Sequence, residues 1–88
     1  MEQLSKLDVL KNIIYSKKIG EILTRKEIRV AAGYPPTGKI DMTTYDSYRY
    51  YFCKAGYLVW IGSGKYEKVK NPNMSLTYNE LLHESILR

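Results

Sequence analysis

Four times along this chain a serine or threonine is followed three residues later by an acid: Ser5 and Asp8, Thr24 and Glu27, Thr43 and Asp46, Thr77 and Glu80. In such a box the hydroxyl accepts a hydrogen bond from the backbone N–H three residues on, and the acid reaches back to the first N–H. The acid also lies at the positive end of the helix dipole. Each box opens a stretch with helical periodicity, so the spacing predicts four helices and leaves little chain for anything else.

The first helix is expected over residues 6–18, with Leu7, Leu10, Ile13 and Ile14 on one face and Gly20 as the stop. Ile22 and Leu23 form a short extended piece. The second helix, residues 25–32, ends at Gly33, a natural C-terminal stop. Pro35, Pro36 and Gly38 make residues 34–42 an irregular loop. The third helix is expected over residues 44–55. Tyr45, Tyr48, Phe52 and Ala55 share its inner side, while Ser47, Tyr50 and Lys54 point outward. Tyr50 and Tyr51 are expected to be exposed. Residues 57–61 and 66–70, around the turn from Gly62 to Lys65, read as a β-hairpin. Asn71, Pro72 and Asn73 break it off, and Leu81, Leu82 and Ile86 give the last helix an apolar stripe. That stripe needs the first helix or a second copy of the chain to cover it, which raises a homodimer through the C-terminal helix.

With 88 residues there is room for one domain, 1–70 forming core and hairpin and 71–88 the closing helix. The net charge is +5 at a sequence pI of 9.3. Residues 1–33 carry seven Lys/Arg against four acids and residues 34–70 six against three, so the basic surplus lies in the first 70 residues. That footprint suits a polyanionic partner. Cys53 is the only cysteine and His83 the only histidine, which leaves neither a disulfide framework nor a Cys-based zinc site. Glu2, Lys6 and Asp8 interrupt the N-terminal apolar residues, unlike a signal peptide, and no apolar run approaches a bilayer span. A cytoplasmic protein without a membrane partner is expected.

The order helix, short strand, helix, helix, hairpin, helix resembles the winged helix-turn-helix superfamily. The telling stretch is Tyr48 to Phe52 leading into Lys54, Ala55, Gly56, Tyr57 and Leu58, where a glycine hands a recognition-type helix to the first wing strand. The resemblance covers residues 5–70. It implies an α+β fold: a small winged helix with a three-helix core, a two-stranded β-hairpin wing and a C-terminal helix. Helices two and three are joined here by about ten residues, Gly33 to Met42, rather than the few of many DNA-reading relatives.

The function that follows is double-stranded DNA binding. If the third helix enters a major groove, Thr43, Thr44, Ser47, Tyr50 and Lys54 meet bases and phosphates, with Arg49 on the flank. This set is short of the Arg, Asn and Gln residues that make bidentate base contacts, so it positions more than it reads. Lys65 at the hairpin turn, Lys68 and Lys70 on the returning strand, and Arg25, Lys26 and Arg29 on the second helix complete the phosphate-binding set. Single-domain economy fits a transcriptional regulator of phage or mobile-element type. The alternative is a non-enzymatic adaptor or inhibitor that grips a host protein with the tyrosine-rich third helix and the 34–42 loop. Residues 33–39 fit the first part of a phosphate-binding loop, but Ile40 stands where Ser or Thr must follow and no buried strand precedes. No catalytic residue, metal or cofactor is expected.

Overall fold

The structure, a computed structural model, describes residues 5–87. The order is α1 (Lys6–Ser16), β1 (Ile22–Thr24), α2 (Arg25–Ala31), α3 (Thr43–Lys54), β2 (Leu58–Gly62), β3 (Lys65–Lys68) and α4 (Tyr78–Ile86). It is a small α+β domain of four helices and one three-stranded antiparallel sheet among the described residues.

Two of the four boxes close in full, and a third caps its helix through the hydroxyl. Ser5 Oγ accepts from the Asp8 N–H at 3.1 Å. Thr24 with Glu27, and Thr77 with Glu80, close in both directions. The box at Thr43 does not. Asp41 accepts from both the N–H and the hydroxyl of Thr43, at 2.9 and 2.6 Å, and Asp46 is drawn away by Arg25. The helix begins at Thr43, after an N-cap at Met42 that makes no side-chain bond.

The sheet corrects the expected two-stranded hairpin. Its order is β1-β3-β2, with Leu23 opposite Tyr66 and Thr24 opposite Lys65. The extended piece at Ile22 and Leu23 therefore becomes a third strand. Pairing on β3 turns Leu23 into the core, where it is fully buried. The Gly20 N–H to Lys68 and the Lys68 N–H to Glu21 continue the ladder at 2.8 and 3.0 Å.

Strand alternation puts Tyr66 and Lys68 on the inner face of β3. Lys68 is 1% exposed, and its Nζ donates to the carbonyls of Tyr15 and Lys17. Lys17 is extended, with φ −80° and ψ 152°, so α1 stops at Ser16 rather than at residue 18. A second buried lysine, Lys11, donates to the carbonyls of Met74 and Leu76 at 2.9 and 2.8 Å. It ties the segment before α4 to α1.

Phe52 is fully buried in the core with Leu10, Ile14 and Leu81. At the end of α3, Gly56 takes φ +90°, and the Tyr57 N–H reaches back to the Phe52 carbonyl at 3.0 Å. The Phe52 and Tyr57 rings meet edge-on at 5.6 Å, the apolar contact that accompanies such a stop. This turn aims β2 back beside α3. The closing helix α4 packs chiefly on α3, where the expectation was α1 or a second copy of the chain. Leu81 is buried and Leu82 half-buried, whereas Ile86 stays exposed. Tyr78 meets the rings of Tyr48 and Tyr51, which leaves Tyr51 half-buried rather than open.

Phe52→Ala is expected to cost about 3–5 kcal/mol, most of the stability of a domain this small, as read by chemical denaturation. The capping acids make a second prediction. Asp8 is held below its ordinary 3.8 by the Lys11 ammonium and then by Ser5. Burial pushes Glu27 up from 4.5, but Lys17 and the Thr24 cap outweigh it and hold it down. Both folded values lie below the unfolded ones, so the unfolded chain binds protons first. Stability is complete above the ordinary values and is lost as pH falls through the folded ones. Melting temperature should drop between about pH 5 and pH 3, and Glu27→Gln should flatten that drop.

Candidate nucleic-acid interface

The outward stripe of α3 follows from its register. Thr43, Ser47, Tyr50 and Lys54 recur at intervals of four, three and four residues and so lie on one face. The stripe runs roughly 16 Å at 1.5 Å per residue. Tyr50 is 52% exposed, and Thr43 and Lys54 are exposed at either end. Thr43, Asp46, Ser47, Tyr50 and Tyr51 line a shallow open groove. Thr44 is half-buried and turns off this stripe with Tyr48 and Tyr51.

Arg25 joins three elements. As the first residue of α2 it donates its backbone N–H to the Gly64 carbonyl at 2.9 Å, fixing the hairpin turn against the helix start. Its Nε and Nη2 fork onto the two Asp46 oxygens, each at 3.0 Å. The Arg25 side chain keeps 42% of its surface exposed. The α3 stripe, the start of α2 and the hairpin turn are therefore one contiguous surface, with Lys65 exposed on it, while the exposed Lys26 lines a groove with Ile13, Val30 and Ala31.

The remaining expected cations are occupied elsewhere. Lys68 is withdrawn from the phosphate-binding set: its ammonium is buried against the end of α1, and burial lowers its pKa. Lys70 lies 4.5 Å over the Tyr57 ring, at the strand ends opposite the turn. Arg29 donates to the Gly38 carbonyl at 2.9 Å and pins the long loop. Arg49 turns inward, its guanidinium 4.7 Å above the Tyr66 ring, and its Nε is buried without a partner, as is that of Arg29. Beside Arg49, burial raises the Cys53 thiol, an effect the guanidinium only partly offsets.

The sequence reading missed two residues here. Asp46 is the carboxylate that neutralises Arg25, and the capping spacing concealed it. Trp60, on β2, is 65% exposed. Among the described residues no cluster of acids, His and Cys could hold a metal ion, and no helix is long and apolar enough to cross a membrane. No family model matches this chain, and neither does a curated protein or a solved structure.

The two kinds of lysine can be told apart. Lys68→Ala leaves the part-buried carbonyls of Tyr15 and Lys17 without this donor and should cost about 1–3 kcal/mol in denaturant unfolding. Lys65→Ala, at an exposed turn, should stay within about 0.5 kcal/mol. Equal losses would contradict this division.

Proposed function

We propose that this protein is a small, non-enzymatic winged-helix DNA-binding protein, of the kind that serves as a transcriptional regulator in a phage or mobile element. The element order and the hairpin beside α3 support the winged-helix assignment, with the β2–β3 turn as the wing. The observation that carries the function is the single surface formed by Thr43, Ser47, Tyr50 and Lys54 with Arg25 and Lys65 beside it. Hydroxyls and ammonium groups at this spacing hold phosphates, and few of them discriminate bases. The protein positions itself on duplex DNA more strongly than it reads it.

The adaptor alternative has less support. Of its tyrosines, Tyr34 packs edge-on against Tyr45 at 6.2 Å, and Tyr48 and Tyr51 pack on Tyr78. Tyr50 alone of these stays exposed. A homodimer through α4 would rest on Ile86 and Leu87, both exposed at its end.

With Lys68 and Lys70 removed, roughly three or four phosphate contacts remain. Counterion release then gives a slope of about −2.7 to −3.6 in log K against log salt. Lys65→Ala should weaken binding to all sequences and flatten that slope by about one. Asp46→Asn should strengthen duplex binding, because Arg25 is released to a phosphate. A slope near zero, or negligible duplex binding at low salt, would overturn the DNA reading.

A further inference from the structure

Register decides which residues share each face of the sheet, because directly opposed residues of an antiparallel pair point the same way. Leu23, Leu58, Tyr66 and Lys68 are buried on the inner face. The alternate positions form two rows across the outer one. Ile22, Glu67 and Val59 are register partners in the first row. Thr24 and Lys65 begin the second, which ends at the bulge of Ile61 and Gly62. Ile22, Val59 and Ile61 are 37%, 49% and 47% exposed, so three β-branched side chains stand in water around a half-buried Glu67 and an exposed Lys65.

The charges on this face are self-complementary. Lys65 and Glu67 lie two positions apart on β3, the central strand, roughly 7 Å along it. Neither has an ion-pair partner among the described residues. Let two such faces meet across a two-fold axis that lies between the sheets and crosses the strands. Each β3 then runs antiparallel over its copy, with Lys65 opposite the second copy's Glu67 and Glu67 opposite its Lys65. The same operation sets Val59 over the second copy's Ile61, and Ile22 over its Thr24. An axis along the strands would instead place Lys65 on Lys65 and Glu67 on Glu67, and like charges oppose it.

We propose that the outer face of the sheet is a self-association surface, on which a second copy of this chain docks face to face across that two-fold axis. Aligned sheets pack about 10 Å apart with their side chains interleaved, which brings the crossed Lys65–Glu67 pairs within reach. The strands are three to five residues long, so the face is small. The dimer belongs with the weak, transient pairs that bury less than about 1,200 Å² in total. The contact closes on itself at two copies. Trp60 lies on the other face and takes no part. The interface stands on the sheet alone. In it Lys65 is withheld from phosphate, so on the DNA-binding reading duplex and second copy compete for the same ammonium.

Sedimentation over a protein concentration series, at low salt and without DNA, should show a monomer–dimer equilibrium. Glu67→Lys and Lys65→Glu each turn two attractive pairs into two repulsive ones, and each should weaken the dimer about ten-fold or more. An equimolar mixture of the two variants should restore the parent's association, because both crossed pairs are again opposite in sign. Both variants should melt with the parent. A monomer at every concentration up to about 1 mM overturns the proposal. So does association that survives both reversals or that the mixture fails to restore; its loss on Ile86→Asp would then assign it to α4. Duplex DNA at low salt should dissociate the dimer. Duplex that binds and leaves the dimer intact overturns the competition at Lys65. A dimer restored by the mixture, beside negligible duplex binding, overturns the DNA reading and leaves the interface standing.

Discussion

A buried ammonium must be given oxygen atoms, and Lys68 finds them at the end of α1. Its Nζ donates to the carbonyls of Tyr15 and Lys17. The last carbonyls of a helix lack intrahelical partners and carry the negative end of its dipole, so a cation there repays part of its own desolvation. Lys68 belongs to β3, the central strand of the sheet. One side chain therefore fixes the first helix to the sheet. The chain leaves α1 at Lys17, returns alongside β3 as β1, and delivers Thr24 and Arg25 beside the hairpin turn. That anchor acts together with the β1–β3 ladder and the Lys17–Glu27 pair to fix the surface built around Arg25.

The same economy governs the other charges. Lys11 satisfies two carbonyls before α4, Lys17 pairs with Glu27, Arg29 holds the loop, and Arg49 covers Tyr66. Much of the basic surplus counted in the sequence is thus internal mortar. The cations left open around the α3 stripe are few, and on the proposed DNA-binding reading each matters more. This explains why a pI of 9.3 overstates the polyanion footprint. Net charge is conserved on folding, while its availability is not.

Most of the helices were legible because caps and apolar period act within a few residues. The third box misled for the opposite reason: Asp46 is claimed by Arg25, 21 positions away, which no local spacing reveals. β1 was read as a short extended piece, but at three residues it is too short to display a period, and its place in the sheet became visible only through its pairing with β3. Lys68 is a different case. In Lys65–Lys68 the alternation already puts it on the face of Tyr66. The strand period carried that signal, and the charge of the residue argued against it. Trp60 reads as an ordinary strand former from composition, and nothing local foretells that it is 65% exposed while its register partner Tyr66 is buried.

The long connection between α2 and α3 alters how the outer helix is held. α3 packs on α1, α4 and β2, with Met42 buried at its start. Its main link to α2 is the ion pair between Arg25 and Asp46. The Arg25 and Asp46 side chains are 42% and 34% exposed, so the pair is worth at most about 1 kcal/mol and weakens with salt. A phosphate arriving at this surface competes with Asp46 for the same guanidinium. Binding there exchanges one salt-sensitive pair for another, and the net gain from Arg25 is smaller than from the unpaired Lys65. On the proposed DNA-binding reading, Asp46 thereby limits non-specific attraction at the place where hairpin, α2 and α3 meet.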